Sequence, residues 1–123
     1  MKLLLLSIFT CFAFGAFAQM PKPQNAEIKT PEAVCAECKA LIEKNVKDQV
    51  DGLIKINVII TRGVTLVTWY PDRTNIGQIK TAIANAGFDA DDMTASEDDY
   101  KTLPQCCKKV KDGGGKPKKK PGS

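Results

Sequence analysis

Histidine is absent from all 123 residues. That excludes imidazole-ligated metal sites, Ser-His and Cys-His nucleophile arrangements, and the usual zinc hydrolase triads. Long apolar segments are also scarce: the one such run, Leu3 to Phe17 behind Met1-Lys2, falls short of the roughly 20 residues that span a bilayer. It ends in Ala16-Phe17-Ala18, a small-x-small cleavage pattern, so residues 1–18 are expected to be a signal peptide cut before Gln19. Cys11 lies inside this run without a lipoprotein pattern and would leave with the peptide. The acidic residues Asp89, Asp91, Asp92, Glu97, Asp98 and Asp99 lack the ligand spacing and glycine of a calcium loop and read as a solvated edge.

What is present suits one compact domain, since 123 residues with 43% hydrophobic content support one core rather than two. The formal charge of +4 conceals an uneven distribution: residues 108–123 carry +6 and residues 19–107 carry −3. The basic tail combines Gly113-Gly114-Gly115 with Lys116-Pro117-Lys118-Lys119-Lys120-Pro121. It cannot bury apolar surface and is expected to be disordered and dispensable for folding. An electrostatic arm for an anionic surface is the functional alternative, but no aromatic residue is interleaved with its lysines, so it reads as a solvated tail with no nucleic-acid partner.

Residues 19–25, with Pro21 and Pro23, read as an extended lead-in. A short strand over Ala26–Thr30 follows, then a loop from Pro31 to Cys35. From Ala36 to Val50 the period becomes helical, with Cys38, Leu41, Ile42, Val46 and Val50 on one stripe. Asp51-Gly52 stops that helix. Leu53–Thr61 then brings Ile54, Ile56, Val58 and Ile60 to one face at period two, and Arg62-Gly63 turns the chain into a second strand over Val64–Tyr70. Asn75 to Ala86 predicts a second helix with an Asn75/Gln78 capping pair and Gly87 as its stop. Phe88–Met93 is a weak last strand. The order strand, helix, strand, strand, helix, strand predicts an α+β fold, a ferredoxin-like βαββαβ sandwich with an antiparallel sheet and both helices on one face. Ser96–Leu103 reads as a capped turn of helix ended by Pro104.

Cys35-Ala36-Glu37-Cys38 stands where the loop becomes the first helix. Two thiols across a helix start can converge on one ion, and the unpaired amides and positive dipole end favour thiolate. Thiolate selects soft ions, Cu(I), Hg(II), Cd(II) or Zn(II), over Mg(II) and Ca(II). A single CxxC also occurs in thiol-disulfide exchange sites and as half of many zinc knuckles.

Residues 26–93 resemble the heavy-metal-associated domain family, which includes copper chaperones, modules of metal-pumping ATPases and a periplasmic mercuric-ion-binding protein. The resemblance rests on Cys35 and Cys38 between first strand and first helix, Gly52 after that helix, and Ala86-Gly87-Phe88 after the second. It implies transfer or sequestration of a soft metal, Cu(I) or Hg(II) foremost, on Cys35 and Cys38. It also implies no chemical conversion and a metal-transporting membrane protein or another metal-binding domain as partner; the expected signal peptide implies a periplasmic or secreted location. The chain departs from the family in having Glu32-Ala33-Val34 where Gly-Met-Thr is common. Phe88, near the site, replaces the tyrosine of many bacterial copper chaperones.

Cys106 and Cys107, in the extension 94–107, lie outside that pattern. The predicted last strand would end at the pole away from Cys35, but the thirteen residues from Met93 to Cys106 can cover about 20 Å even if helical, enough to return. They can then complete a four-thiolate site or form disulfides, and the residues leave both open. Met93 reads as packing, not as a thioether ligand. Two other functions fit a CxxC in an oxidising compartment: a thiol-disulfide oxidoreductase, for which the chain lacks a thioredoxin-type start, and a module whose four remaining cysteines are permanently paired.

Overall fold

In a computed structural model, residues 21–114 are described. The expected signal peptide and the end of the basic tail, 115–123, lie outside them. The elements are β1 (Gln24–Lys29), α1 (Ala36–Gln49), β2 (Leu53–Ile59), β3 (Val64–Trp69), α2 (Ile76–Asn85) and α3 (Glu97–Lys101). Two 3-10 turns follow, Gln105–Cys107 and Val110–Asp112.

The strands form an antiparallel sheet in the order β1-β3-β2. Its inner face carries Ile28, Val58, Val67 and Trp69, which join Cys38, Ile42 and Val46 of α1 and Ile79 and Ile83 of α2 in one buried cluster. Asn25, Glu27, Lys55 and Asn57 stand exposed on the opposite side. Both helices therefore cover one face, because that face carries the buried apolar cluster, whereas Leu66 is the large apolar side chain among polar ones on the other. Two expected apolar positions turn outward. Leu41, at the shoulder of the α1 stripe, is 36% exposed, and Ile54 is 37% exposed. The latter sits where the β2–β3 register shifts between Leu53 and Lys55; an irregularity of this kind breaks the period of two.

The hairpin closes through Ile59 opposite Val64, and Gly63 supplies the positive φ of +64° that its loop requires. α2 begins as predicted, with the Asn75 side chain accepting from the Gln78 amide at 3.0 Å. After α2, Gly87 has φ +100°, and a Cβ there would lie 2.8 Å from the Asp99 carbonyl oxygen and 2.9 Å from Leu103. This glycine ends α2 and also leaves room for the returning chain.

The predicted last strand over Phe88–Met93 does not form. Phe88 and Ala90 are buried, but Ala90 pairs only with Met93, in an isolated bridge around Asp91-Asp92. Aspartate and alanine are poor strand formers, and Asp91, with φ 53°, reverses the chain at once. Asp91 also docks this turn on β1: Lys29 N donates to its carboxylate at 2.7 Å, and Asp91 N donates to Lys29 O at 2.9 Å. Lys80 adds an ion pair at 3.1 Å. The acidic edge is thus not simply solvated, since Asp91 substitutes for part of a strand ladder. At the other edge, Glu43 accepts from Val58 N at 3.2 Å and Lys39 donates to Val58 O at 3.0 Å, so side chains occupy polar groups that an edge strand leaves open.

The start of the basic tail is ordered, contrary to the expectation for residues 108–123. Lys109 N donates to the Tyr100 hydroxyl at 2.7 Å, that hydroxyl donates to Asp112, and Lys109 Nζ pairs with Asp89 at 3.3 Å. Composition alone misplaced this boundary because the partners, Tyr100 and Asp89, lie well before the tail in sequence.

Burial pushes the Asp91 carboxyl up, but the Lys29 amide and Lys80 outweigh it and hold it below the ordinary carboxylate range. A depressed folded-state pKa contributes stability above the unfolded value of about 4 that is lost as pH falls through the folded value. Asp91→Asn should cost roughly 0.5–1 kcal/mol at pH 7. Thermal melts between about pH 6 and pH 2 should show this difference vanish with acid. Truncation after Cys107 should lower the thermal midpoint by several degrees, whereas truncation after Gly114 should leave it unchanged.

Candidate metal centre

Pro31 opens the loop that leads into α1. Thr30, just after β1, has its hydroxyl bonded to that of Thr65 at 2.9 Å, and Ala33 N turns back to Thr30 O at 3.1 Å. Ala33 is completely buried, so the loop is pinned just before Cys35. Glu32 keeps a buried carboxylate oxygen without a hydrogen-bond partner, and burial, with Asp89 nearby, pushes its carboxyl up.

Cys35 is the N-cap of α1, with extended backbone and no side-chain cap bond. Its sulfur is engaged elsewhere, 2.9 Å from Cys38 Sγ and 3.5 Å from Cys107 Sγ. Cys38 lies in the first turn of a helix whose first amides have no intrahelical acceptor, a setting that favours anionic sulfur. Cys38 is 0% exposed and belongs to the core, as its place on the α1 stripe predicts.

The other half of the cluster comes from the extension. Ser96 caps α3 by accepting from Asp99 N at 3.2 Å. Leu103 is buried against the space beside Gly87, and Pro104 then redirects the chain into the turn Gln105–Cys107. Cys107 arrives fully buried and is joined to Cys38 as a disulfide with Cα atoms 5.5 Å apart. Cys35 and Cys106 are free and partly exposed. Cys106 Sγ lies 3.9 Å from Cys107 Sγ and 3.7 Å from a Glu37 carboxylate oxygen. Its contact with the Cys35 sulfur, then burial, then Glu37 push its thiol up to about 11. The four sulfurs all lie within 4.8 Å of one another.

The fold thus brings together all four sequence-predicted cysteines. It forms neither a vicinal Cys106–Cys107 disulfide nor the fully paired arrangement, since two thiols stay free. Phe88 is buried in the same cluster of residues as Cys38 and Cys107. Met93 is remote from this chemistry, its sulfur 3.6 Å from the Thr81 hydroxyl. Sequence reasoning missed Glu37 as a neighbour of Cys106 and Lys109 with Asp89 as an anchor of the extension. Nothing in their local pattern marks those pairings.

Chemically, the cluster has two mutually exclusive uses. Sulfurs bonded to each other have no thiolate lone pair to give a metal, and reduced ones present up to four soft donors. The 2.9 Å between the Cys35 and Cys38 sulfurs places both CxxC side chains on the same side of the helix start.

Comparison with known proteins agrees with this construction. Copper-exporting P-type ATPases of Staphylococcus epidermidis are 32% identical to the chain over 74 residues, which is 60% of this chain but only 9% of theirs. The periplasmic component of mercuric transport from Shewanella putrefaciens is 27% identical over 86 residues, covering 70% of this chain and 90% of that protein. In sequence and fold the chain is similar to the heavy-metal-associated domains. Oxidised MerP from Ralstonia metallidurans CH34 superposes with a TM-score of 0.52 at 23% identity, covering 56% of this chain and 94% of that one. A copper-binding domain of the P-type ATPase HMA7 gives 0.52 at 25% identity, covering 55% and 89%. No family model matches the chain. Against the βαββαβ order expected of a heavy-metal-associated domain, this chain keeps the first five elements and replaces the last strand with the Asp91 turn.

In fully reduced protein, brief treatment with a charged alkylating reagent should label Cys35 and Cys106 and leave Cys38 and Cys107 largely unmodified, as read by peptide mass spectrometry. Equal labelling of all four would mean that the extension is not packed on α1 when the disulfide is open.

Proposed function

We propose that this protein binds a soft heavy-metal ion through Cys35 and Cys38 and either passes it on or withholds it, without chemical conversion of any substrate. The observation that carries this reading is the convergence of both CxxC sulfurs, 2.9 Å apart, at the start of α1. The ion is cargo, and thiolate donors favour Cu(I), Hg(II), Cd(II) or Zn(II) over hard cations. Similarity to a periplasmic mercuric transport component and to segments of copper-exporting ATPases supports Cu(I) and Hg(II) as foremost candidates. The same similarity supports a metal-transporting membrane protein, or another thiol-bearing metal domain, as partner. The leader-like residues 1–18 support a periplasmic or secreted location, and no helix among the described residues is long and apolar enough to cross a membrane.

Replacing Cys35 and Cys38 with serine should abolish tight binding of Cu(I) and Hg(II), measured by competition with a chelator in anaerobic, reduced protein. Because Cys38 is buried, the serine variant should also lose about 1–3 kcal/mol of stability, to be followed separately by denaturant unfolding. Cys35→Ser alone, at a partly exposed position, should weaken binding with little effect on folding. Unchanged affinity in both variants would exclude the CxxC pair as the binding site.

A further inference from the structure

We infer that the cargo site is a four-thiolate cage, with Cys106 and Cys107 as its second half, shaped for a tetrahedral d10 divalent ion of the Zn(II) or Cd(II) type. This inference rests on the soft-metal reading above and deepens it. A tetrahedral ion with metal–sulfur bonds of about 2.3 Å holds its sulfurs about 3.8 Å apart, whereas a linear two-coordinate ion with similar bonds holds its pair about 4.6 Å apart. Cys106 and Cys107 are 3.9 Å apart, and Cys35 and Cys107 are 3.5 Å apart. The Cys35–Cys38 separation of 2.9 Å is shorter, and Cys38 is the sulfur bonded to Cys107. Opening the Cys38–Cys107 bond frees that one sulfur to move away from Cys35 and Cys107, toward tetrahedral spacing.

The extension is held in place for this purpose on both sides of the cysteine pair. Before it, Leu103 fills the space that Gly87 leaves. After it, Lys109 is tied to Asp89 and to the Tyr100 hydroxyl. Cys107 is therefore delivered to the core already ordered, which lowers the entropic cost of adding ligands to an ion held by Cys35 and Cys38. Buried Cys38 and Cys107 form the closed side of the cage, and partly exposed Cys35 and Cys106 form the side from which ligands exchange. Loading begins from reduced protein: a dithiol gives two electrons and two protons to the Cys38–Cys107 bond and leaves as its own disulfide. The entering ion then displaces the thiol protons.

The test uses the full chain, reduced with dithiothreitol, freed of it anaerobically and loaded with one equivalent of Zn(II). X-ray absorption at the zinc edge should count four sulfurs at about 2.3 Å. Cys106→Ser should reduce the count to three. Cys106→Ser with Cys107→Ser should reduce it to two and weaken Zn(II) binding at least tenfold. Two sulfurs completed by oxygen or nitrogen in the parent would overturn the cage while leaving the Cys35–Cys38 reading intact. No tight binding of Zn(II), Cu(I) or Hg(II) by the parent would overturn both. Should the double variant fail to fold, Cys106→Ser alone decides: an unchanged sulfur count and unchanged resistance to a competing chelator would exclude Cys106 from the cage.

Discussion

The contact between Cys38 and Cys107 is the constraint on which the rest of the arrangement depends. It joins the first turn of α1 to a turn 69 residues later. In the chain-entropy picture, a covalent link closing a loop of that length is worth about 4 kcal/mol in the oxidised state. Reduced and metal-bound, the same pair would be held by the ion instead, with the Cys38 sulfur moved away from Cys107. Folding brings the extension to α1, and the chemistry of the sulfurs then decides what holds it there.

That return depends on a strand that is not made. A full last strand along β1 would have carried the chain to the pole opposite Cys35, leaving the residues that follow to span the sheet a second time. Instead Asp91 reverses the chain, bonding to Lys29 through both its amide and its carboxylate. α3 and Leu103 can then pack beside Gly87. The loss of ladder bonds on the β1 edge is offset only locally, by Asp91 and Lys80, and the gain is a short path back to the helix start.

Burial divides the cluster in a way that residue type does not reveal. Cys38 and Cys107 are fully buried in the core shared with Ile42 and Phe88, while Cys35 and Cys106 are partly exposed. An ion held among them would be shielded on one side and open to incoming thiols on the other. Transfer between thiol sites proceeds by stepwise replacement of ligands, so the open side is the one a partner would meet.

Much of this was legible in the sequence because it is local. The α1 stripe, the β2–β3 hairpin, the Asn75 cap and the stop at Gly87 each follow from periodicity or turn chemistry within a few residues. So did the CxxC at a helix start and its soft-ligand character, and the return of the extension was readable as an allowed reach. Only the tertiary structure decided that Phe88–Met93 turns rather than pairs, that Lys109 and Asp112 belong to the ordered domain, and that Cys107 rather than Cys106 enters the core beside Cys38. Each of those outcomes depends on contacts between residues far apart in the chain. Their energies come from burial and from pairs such as Asp89 with Lys109, which no local pattern encodes.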